Sequence, residues 1–414
     1  MTAIPIGGVD VVIVGAGVAG APLAAQLADA GVQVLLLERD EVYADRVRGE
    51  GMVQWGYEAA AEMGLIDAIT SAPGASVMTR LVAYDELVPI ESARSRSRDL
   101  STILPGVPGL VSVGHPEMRA ALCDVAVARG AVIRRGVSDV AVTPGATPAV
   151  SFSHDGERYT VSCRLVVGAD GKESVVRRSI GVELNSTIPR VMLTGMLVDD
   201  GGAWDRDEVT IGVHGGDQLY VFPRKGALRL YTARPMTAER LAGPDKADRM
   251  LESFLVPSLP HAEAIAASTP IGPCATFPMT DTWTRRPYGP GVVLVGDAAG
   301  WSNPITGQGL AIAMRDALVL SRLLIDDRAW TESLLDTYAA ERWERMRRLR
   351  FASALTDLFA AQGAPDRAGL VRRLNRCARQ QPELLRALEA VHAGPWRIDE
   401  DAFEPSILTT LALA

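Results

Sequence analysis

Gly15-Ala16-Gly17-Val18-Ala19-Gly20 is the first stretch of the chain whose residue types and spacing could do chemistry. Gly15 permits a tight turn, Gly17 lets the backbone approach a pyrophosphate, and Gly20 allows the helix that follows to pack closely on a sheet. The N–H groups opening such a helix, with the positive end of its dipole, favour an anion. Glu38 follows 18 residues after Gly20, a separation at which an acid can accept hydrogen bonds from ribose hydroxyls. A second stretch, Leu165-Val166-Val167-Gly168-Ala169-Asp170-Gly171, is followed by Ser174, Val176 and Arg177. It sets a carboxylate where a buried run gives way to a sharp turn, although Asp-Gly is also an ordinary β-turn signal. The third is Val295-Gly296-Asp297-Ala298-Ala299-Gly300, then Pro304, Gly307, Gln308, Gly309 and Leu310. Asp297 at a sheet edge could bind polyol hydroxyls. The helix start after the loop would favour an anionic ring edge, such as the N1–C2=O edge of a reduced flavin.

Elements that could position these residues are legible around them. Val9–Val14 is apolar and β-branched apart from Asp10, as expected of a buried parallel strand. Ala19–Ala30 reads as a helix closed by Gly31, and Val32–Leu37 as the next strand, ending at Glu38. This strand-turn-helix-strand unit opens a dinucleotide-binding domain. Helices are expected at Leu65–Thr70 and Met118–Arg129, and strands at Ala131–Arg134 and Val137–Val142. Past Arg178 the short runs Val191–Val198, Val209–Val213, Leu219–Phe222 and Leu228–Thr232 predict an antiparallel sheet. Val292–Val295 returns to a buried-strand pattern. Helices are then expected over Leu310–Ile325, Leu334–Phe359 and Ala368–Val391, with the arginines of Arg342–Arg350 on a solvated face.

The three motifs, in this order, resemble those of the para-hydroxybenzoate hydroxylase-like (group A) FAD-dependent monooxygenases over roughly residues 9–325. The resemblance implies an α/β fold: a Rossmann-like FAD-binding domain with an antiparallel-sheet substrate domain and C-terminal helices. The expected division is 1–70, 98–178 and 285–325 for the FAD-binding domain, 71–97 and 179–284 for the substrate domain, and 326–414 for the helical region. By the same resemblance, the FAD pyrophosphate lies at Gly15, Gly17, Val18, Ala19 and Gly20, and the adenosine ribose at Glu38 with Arg39 beside it. Arg48, in Arg48-Gly49-Glu50-Gly51, matches an arginine near the flavin's ribityl and phosphate region, and Val140 a backbone contact to adenine. Asp170 matches an Asp-Gly motif implicated in FAD and NAD(P)H binding. Gly296 and Asp297 match the ribityl site, and Pro304, Gly307, Gln308, Gly309 and Leu310 the loop under the isoalloxazine. His115 stands where Gln or Arg often contacts the cofactor, and Arg119 one turn later could serve instead.

Departures from the family pattern are specific. Gly300 replaces a family histidine, and Thr306 replaces the first glycine of a Gly-Gly-Gln-Gly loop. The stretch Gly296–Gly309 also resembles geranylgeranyl reductases, but Tyr220-Val221-Phe222-Pro223 matches their aromatic box only in part and their N-terminal Cys-Gly-Gly is absent. The Trp-x-Trp-x-Ile-Pro motif of flavin halogenases is missing.

Composition is that of an ordinary globular enzyme: 48% hydrophobic and 22% charged over 414 residues, enough for two or three domains. The net charge of −8 argues against a nucleic-acid partner. Four widely spaced cysteines read as reduced thiols, and none of the five histidines has metal-ligand spacing. The uncharged run Val11–Ala28 is interrupted by three glycines and Pro22, which argues against stable membrane insertion, and a cytoplasmic location is expected. The expected function follows from the resemblance. A single-component monooxygenase would hold FAD non-covalently, take NAD(P)H as a transient co-substrate, and react with O2 to give a flavin C4a-hydroperoxide. That species would hydroxylate or epoxidise an electron-rich aromatic or polycyclic small molecule. The alternative is a reductase of an isoprenoid double bond. No side chain stands out as an obligatory acid or base.

Overall fold

The computed structural model describes residues 9–47, 49–199 and 204–413. Its organising element is a six-stranded sheet in the order Tyr288–Gly289, Val292–Leu294, Leu165–Gly168, Val11–Val14, Val34–Leu37, Val132–Arg134. All neighbours are parallel except Tyr288–Gly289, which runs antiparallel at the edge. Val11, Val12, Ile13 and Val14 are buried on both faces, which is why the strand reads as an unbroken apolar run. Val11 and Ile13 face a core shared with the Gly20–Asp29, His115–Ala128 and Gly309–Asp326 helices. Val12 and Val14 face a second core built on the Ala149–His154 and Glu157–Ser162 hairpin. The uncharged run Val11–Ala28 is thus divided between a strand and a helix, and among the described residues no helix is long and apolar enough to cross a membrane.

A seven-stranded sheet lies beside this unit, in the order Ala275–Pro278, Val191–Asp199, Ala227–Pro235, Asp217–Arg224, Glu208–His214, Arg80–Asp85, Arg98–Asp99. The expectation of an antiparallel sheet needs one correction. Glu208–His214 pairs parallel with Arg80–Asp85, which comes from much earlier in the chain. The two consecutive hairpins that join Glu208–His214, Asp217–Arg224 and Ala227–Pro235 must pair antiparallel, but a strand arriving from elsewhere is under no such constraint.

The C-terminal helices also depart from expectation. Glu332–Ala360 is continuous, but the next helix stops at Gln380. Pro382 lacks an N–H and disfavours helical geometry in the residue before it. The chain continues as 3-10 turns over Pro382–Glu389 and a single turn at Ala390–Ala393. A compact core of Leu355, Leu374, Ala387, Phe403 and Leu411 holds these pieces together.

Candidate functional site

The parallel register makes four strand ends flush. Val14 pairs with Gly168 and with Leu37, and Gly168 with Leu294. The residues that follow therefore emerge at one carboxyl edge, in the spatial order Asp297, Asp170, Gly15, Glu38. Ligands of open α/β sheets bind at this edge.

The glycines at the centre are dictated by space. Gly15 has φ +105°, and a Cβ there would lie 2.4 Å from the Ala169 carbonyl oxygen. A Cβ on Gly20 would lie 2.0 Å from the Gly15 carbonyl oxygen, because the helix sits directly on the turn. A Cβ on Gly17 would meet nothing within 4 Å, so the backbone there is open to a bulky group. Val18 is half-buried and Ala19 buried at the helix entry.

Glu38 is buried, and its carboxylate gathers the neighbouring turns. It accepts from the Ala16 N–H at 2.9 Å and the Asp40 N–H at 2.8 Å, and pairs with Arg119 at 2.8 Å. Arg119 also pairs with Asp40 at 3.2 Å and lies 3.9 Å over the Tyr43 ring. Burial pushes the Asp40 carboxyl up, but Arg119 and Arg46 outweigh it and hold it below its ordinary value. Arg39 points to solvent beside Asp40. His115 is half-buried at the start of the helix that carries Arg119, and Val140 is half-buried in the Ser138–Thr143 strand. Arg48 lies outside the described residues.

Asp170 spends its carboxylate on its own loop. It accepts from the Ser174 hydroxyl at 2.5 Å and from the Val175 N–H at 2.7 Å, capping the short helix Val175–Ser179. Burial raises its pKa against those bonds. Asp297, in contrast, is half-exposed on a 3-10 turn over Gly296–Ala299.

Arginines hold that turn from beneath, which overturns the expectation of a solvated arginine face. Arg342 and Arg345 are buried. Arg342 donates to the carbonyls of Ala299 at 2.9 Å, Gly296 at 3.0 Å and Gly300 at 2.8 Å, and to Asp316 at 2.9 Å. Arg177 donates to the Ala298 carbonyl at 3.1 Å, and Gly300 N–H to that of Asp297 at 3.2 Å. Every carbonyl from Gly296 to Gly300 therefore has a partner on the protein side. Asp316 accepts from the Gly296 N–H at 2.7 Å and from Arg345 at 2.6 Å. Burial raises its pKa, but the two guanidiniums prevail and hold it below its ordinary value. A polar helix face reads as solvated unless it meets buried carbonyls, and these carbonyls come from a loop more than forty residues away.

The loop from Pro304 to Leu310 turns at Gly307, with φ +64°, into the Gly309–Asp326 helix. Cβ atoms on Gly307 and Gly309 would meet nothing within 4 Å. The Gln308 side chain is buried away from that space and accepts from the Trp55 indole N–H at 3.0 Å, and Leu310 is in the core. Only backbone groups of these residues face outward.

Sequence reasoning missed a buried charge cluster behind the loop. Arg229 is fully buried and pairs with Glu50 at 2.8 Å and Asp45 at 2.6 Å, while Arg224 reaches Glu50 at 3.5 Å and Glu117 at 3.3 Å. Burial pushes the Glu50 carboxyl up to about 7 in spite of Arg229 and Arg224. The only local trace was Glu50 within Arg48-Gly49-Glu50-Gly51.

Residues 8–352 match the FAD binding domain family. The chain belongs to that family. It is an FAD-dependent enzyme of the kind that includes monooxygenases. Rifampicin monooxygenase of Streptomyces venezuelae is 29% identical over 343 residues, 80% of this chain and 68% of that protein. Digeranylgeranylglycerophospholipid reductase 2 of Methanococcoides burtonii is 27% identical over 316 residues, 74% of this chain and 72% of that one. HpxO of Klebsiella pneumoniae, solved as a complex with FAD, has the same fold, with a TM-score of 0.73 at 20% identity over 94% of this chain and 100% of that one.

Proposed function

We propose that this member of the FAD-binding family is a single-component monooxygenase that uses NAD(P)H and O2 to hydroxylate or epoxidise an electron-rich aromatic or polycyclic small molecule. The observation that carries the reading is the flush carboxyl edge, where open glycine backbone at Gly17 lies between Glu38 on one side and Asp297 on the other. The residues fit FAD in order along it. Backbone N–H groups of Gly15 to Gly20 would hold the pyrophosphate. Glu38 and Arg119, with Arg39, His115 and Val140 nearby, would hold the adenosine end. Gly296 and Asp297 would take the ribityl chain. The exposed N–H groups at the start of the Gly309–Asp326 helix would favour negative charge on the flavin ring. FAD, when bound, supplies the redox and oxygen-transfer chemistry; the chain's part is to orient the ring and exclude water.

Asp170 supports the site indirectly, by fixing the turn against which Gly15 packs. The reductase relative keeps a second reading in view: reduction of an isoprenoid double bond. Kinship with rifampicin monooxygenase and the absence of Cys-Gly-Gly near the start of the sequence support the oxygenase. Turnover of FAD-loaded enzyme with NAD(P)H and a panel of phenols and polycyclic aromatics in 18O2 tests the choice. Label in the product and faster NAD(P)H consumption with substrate are expected. Full anaerobic turnover that saturates a carbon–carbon double bond would reject the oxygenase reading and leave FAD binding untouched.

A further inference from the structure

The face of the seven-stranded sheet nearest the Pro304–Thr306 turn is apolar and aromatic. Alternation along the strands sends Leu219, Val221, Leu228 and Leu230 to one side. Tyr220, Tyr231, Ala233 and Leu193 go to the other, where they cluster with Val47, Met279 and Ile305. Ile305 belongs to the turn that leads into Gly307, so this face adjoins the flavin-side loop.

The Glu332–Ala360 helix roofs the junction. Its Ser353 hydroxyl is 3.3 Å from that of Thr306 on the loop, and just past its end the Gln362 amide donates to the Ala233 carbonyl on the sheet at 2.9 Å. Asp357 lies between these two anchors, four residues after Ser353 and hence on the same stripe of the helix. Its carboxylate has no hydrogen bond or ion pair with any described residue.

The charged groups around it do not answer it. Asp281, on the neighbouring loop, accepts from the Asn303 N–H at 2.9 Å and repels it. Arg190 attracts it from an exposed position. Arg350, a turn away on the other side of Ser353, lies over the rings of Trp283 at 4.5 Å and Trp343 at 5.5 Å. The nearby Tyr220 gives its hydroxyl proton to Gln218 at 2.6 Å. Burial, with Asp281, pushes the Asp357 carboxyl up to about 7. A second acceptor stands five residues on: the Gln362 side-chain oxygen is buried without a partner. Two acceptors thus meet an aromatic wall with no protein donor assigned to either.

We propose that Asp357 is the polar anchor of the substrate, accepting a hydrogen bond from an O–H or N–H donor carried by an otherwise apolar ring system. The proposal rests on the oxygenase site described above and narrows its substrates to donor-bearing rings, phenols or ring N–H compounds, over fully alkylated ones. The aromatic wall takes the ring by stacking and apolar contact, while a carboxylate pays the cost of its own burial best with a donor.

The test uses FAD-loaded enzyme and two probes, 2-naphthol and its O-methyl ether 2-methoxynaphthalene, titrated against the visible absorbance of the bound flavin. At pH 8.5, where the Asp357 carboxyl is ionised, wild type should prefer the naphthol by about tenfold or more, the ratio expected of one charge-assisted hydrogen bond. Asp357→Leu should bring the two affinities to within about twofold with FAD content unchanged, and Asp357→Asn, which keeps an acceptor oxygen, should retain part of the preference. An undiminished preference in Asp357→Leu, equal affinities in wild type, or a flavin that responds to neither probe would each overturn the proposal. A wild-type protein that takes up no FAD would instead overturn the cofactor assignment beneath it.

Discussion

Arg342→Met removes the guanidinium that ties the Asp297 turn to the helices below. The wild-type side chain makes four hydrogen bonds, one to the Asp316 carboxylate and three to loop carbonyls. Summing charge-assisted bonds at about 1.5–3 kcal/mol each overstates the loss, because the arginine's own desolvation penalty is recovered and the bonds are not additive. Breaking one side of a buried ion pair costs about 3–5 kcal/mol, and that is the expected fall in stability. Asp316 keeps Arg345 and the Gly296 N–H, which argues for the lower end. Three of the five loop carbonyls lose their partners, so the turn that presents Asp297 is no longer held in one shape. FAD affinity should then fall by about 10- to 100-fold. The comparison variant is Arg345→Met, which breaks a pair to the same carboxylate but touches no loop carbonyl. Urea melts of the apoproteins should show comparable destabilisation, while flavin-fluorescence titration should show an FAD defect in Arg342→Met alone. Equal FAD affinities in the two variants would refute the idea that Arg342 positions the turn.

Asp297→Ala and Glu38→Ala should each weaken FAD binding by about 1.5–3 kcal/mol, roughly 10- to 100-fold, read by the same titration; unchanged affinity in both would dismiss the assignment of the two ends of the cofactor. His392, buried and 2.9 Å from the Gln54 side-chain oxygen, is pushed down to about 3 by burial and by Arg98. Its folded pKa lies below the unfolded value of about 6.5, so the unfolded chain binds the extra proton, and the stability His392 confers is whole above pH 6.5 and drains as pH falls toward 3. Between pH 6.5 and 5 the loss should be about 1.5 kcal/mol in wild type and absent from the slope of His392→Gln, as measured by urea midpoints across that range.

The amino-acid sequence determined what local pattern can encode. Gly15 and Gly20, between an apolar run and a helix, fix a turn that other residues could not make, and Gly17 leaves the backbone between them open. The β-branched runs at Val11–Val14 and Leu165–Gly168 specify strands buried on both faces. The three motifs that fit a flavin dinucleotide were readable because each is a contiguous string. Their spatial order along one edge was not, since it depends on which strands pair, and Leu165–Gly168 joins Val11–Val14 across some 150 residues of chain. The side chains that hold the site were hidden for the same reason. Glu50 and Arg229 meet in a buried hydrogen bond at a separation of 179 residues, and neither neighbourhood mentions the other. Gln308 sits in a loop motif, yet its side chain turns inward because Trp55 offers an indole N–H there. Arg342 shows the reason most plainly. A charged residue on a helix belongs in water unless its desolvation is offset, and the carbonyls and carboxylate that offset it come together only when the Gly296–Gly300 turn, the Gly309–Asp326 helix and the Glu332–Ala360 helix have packed.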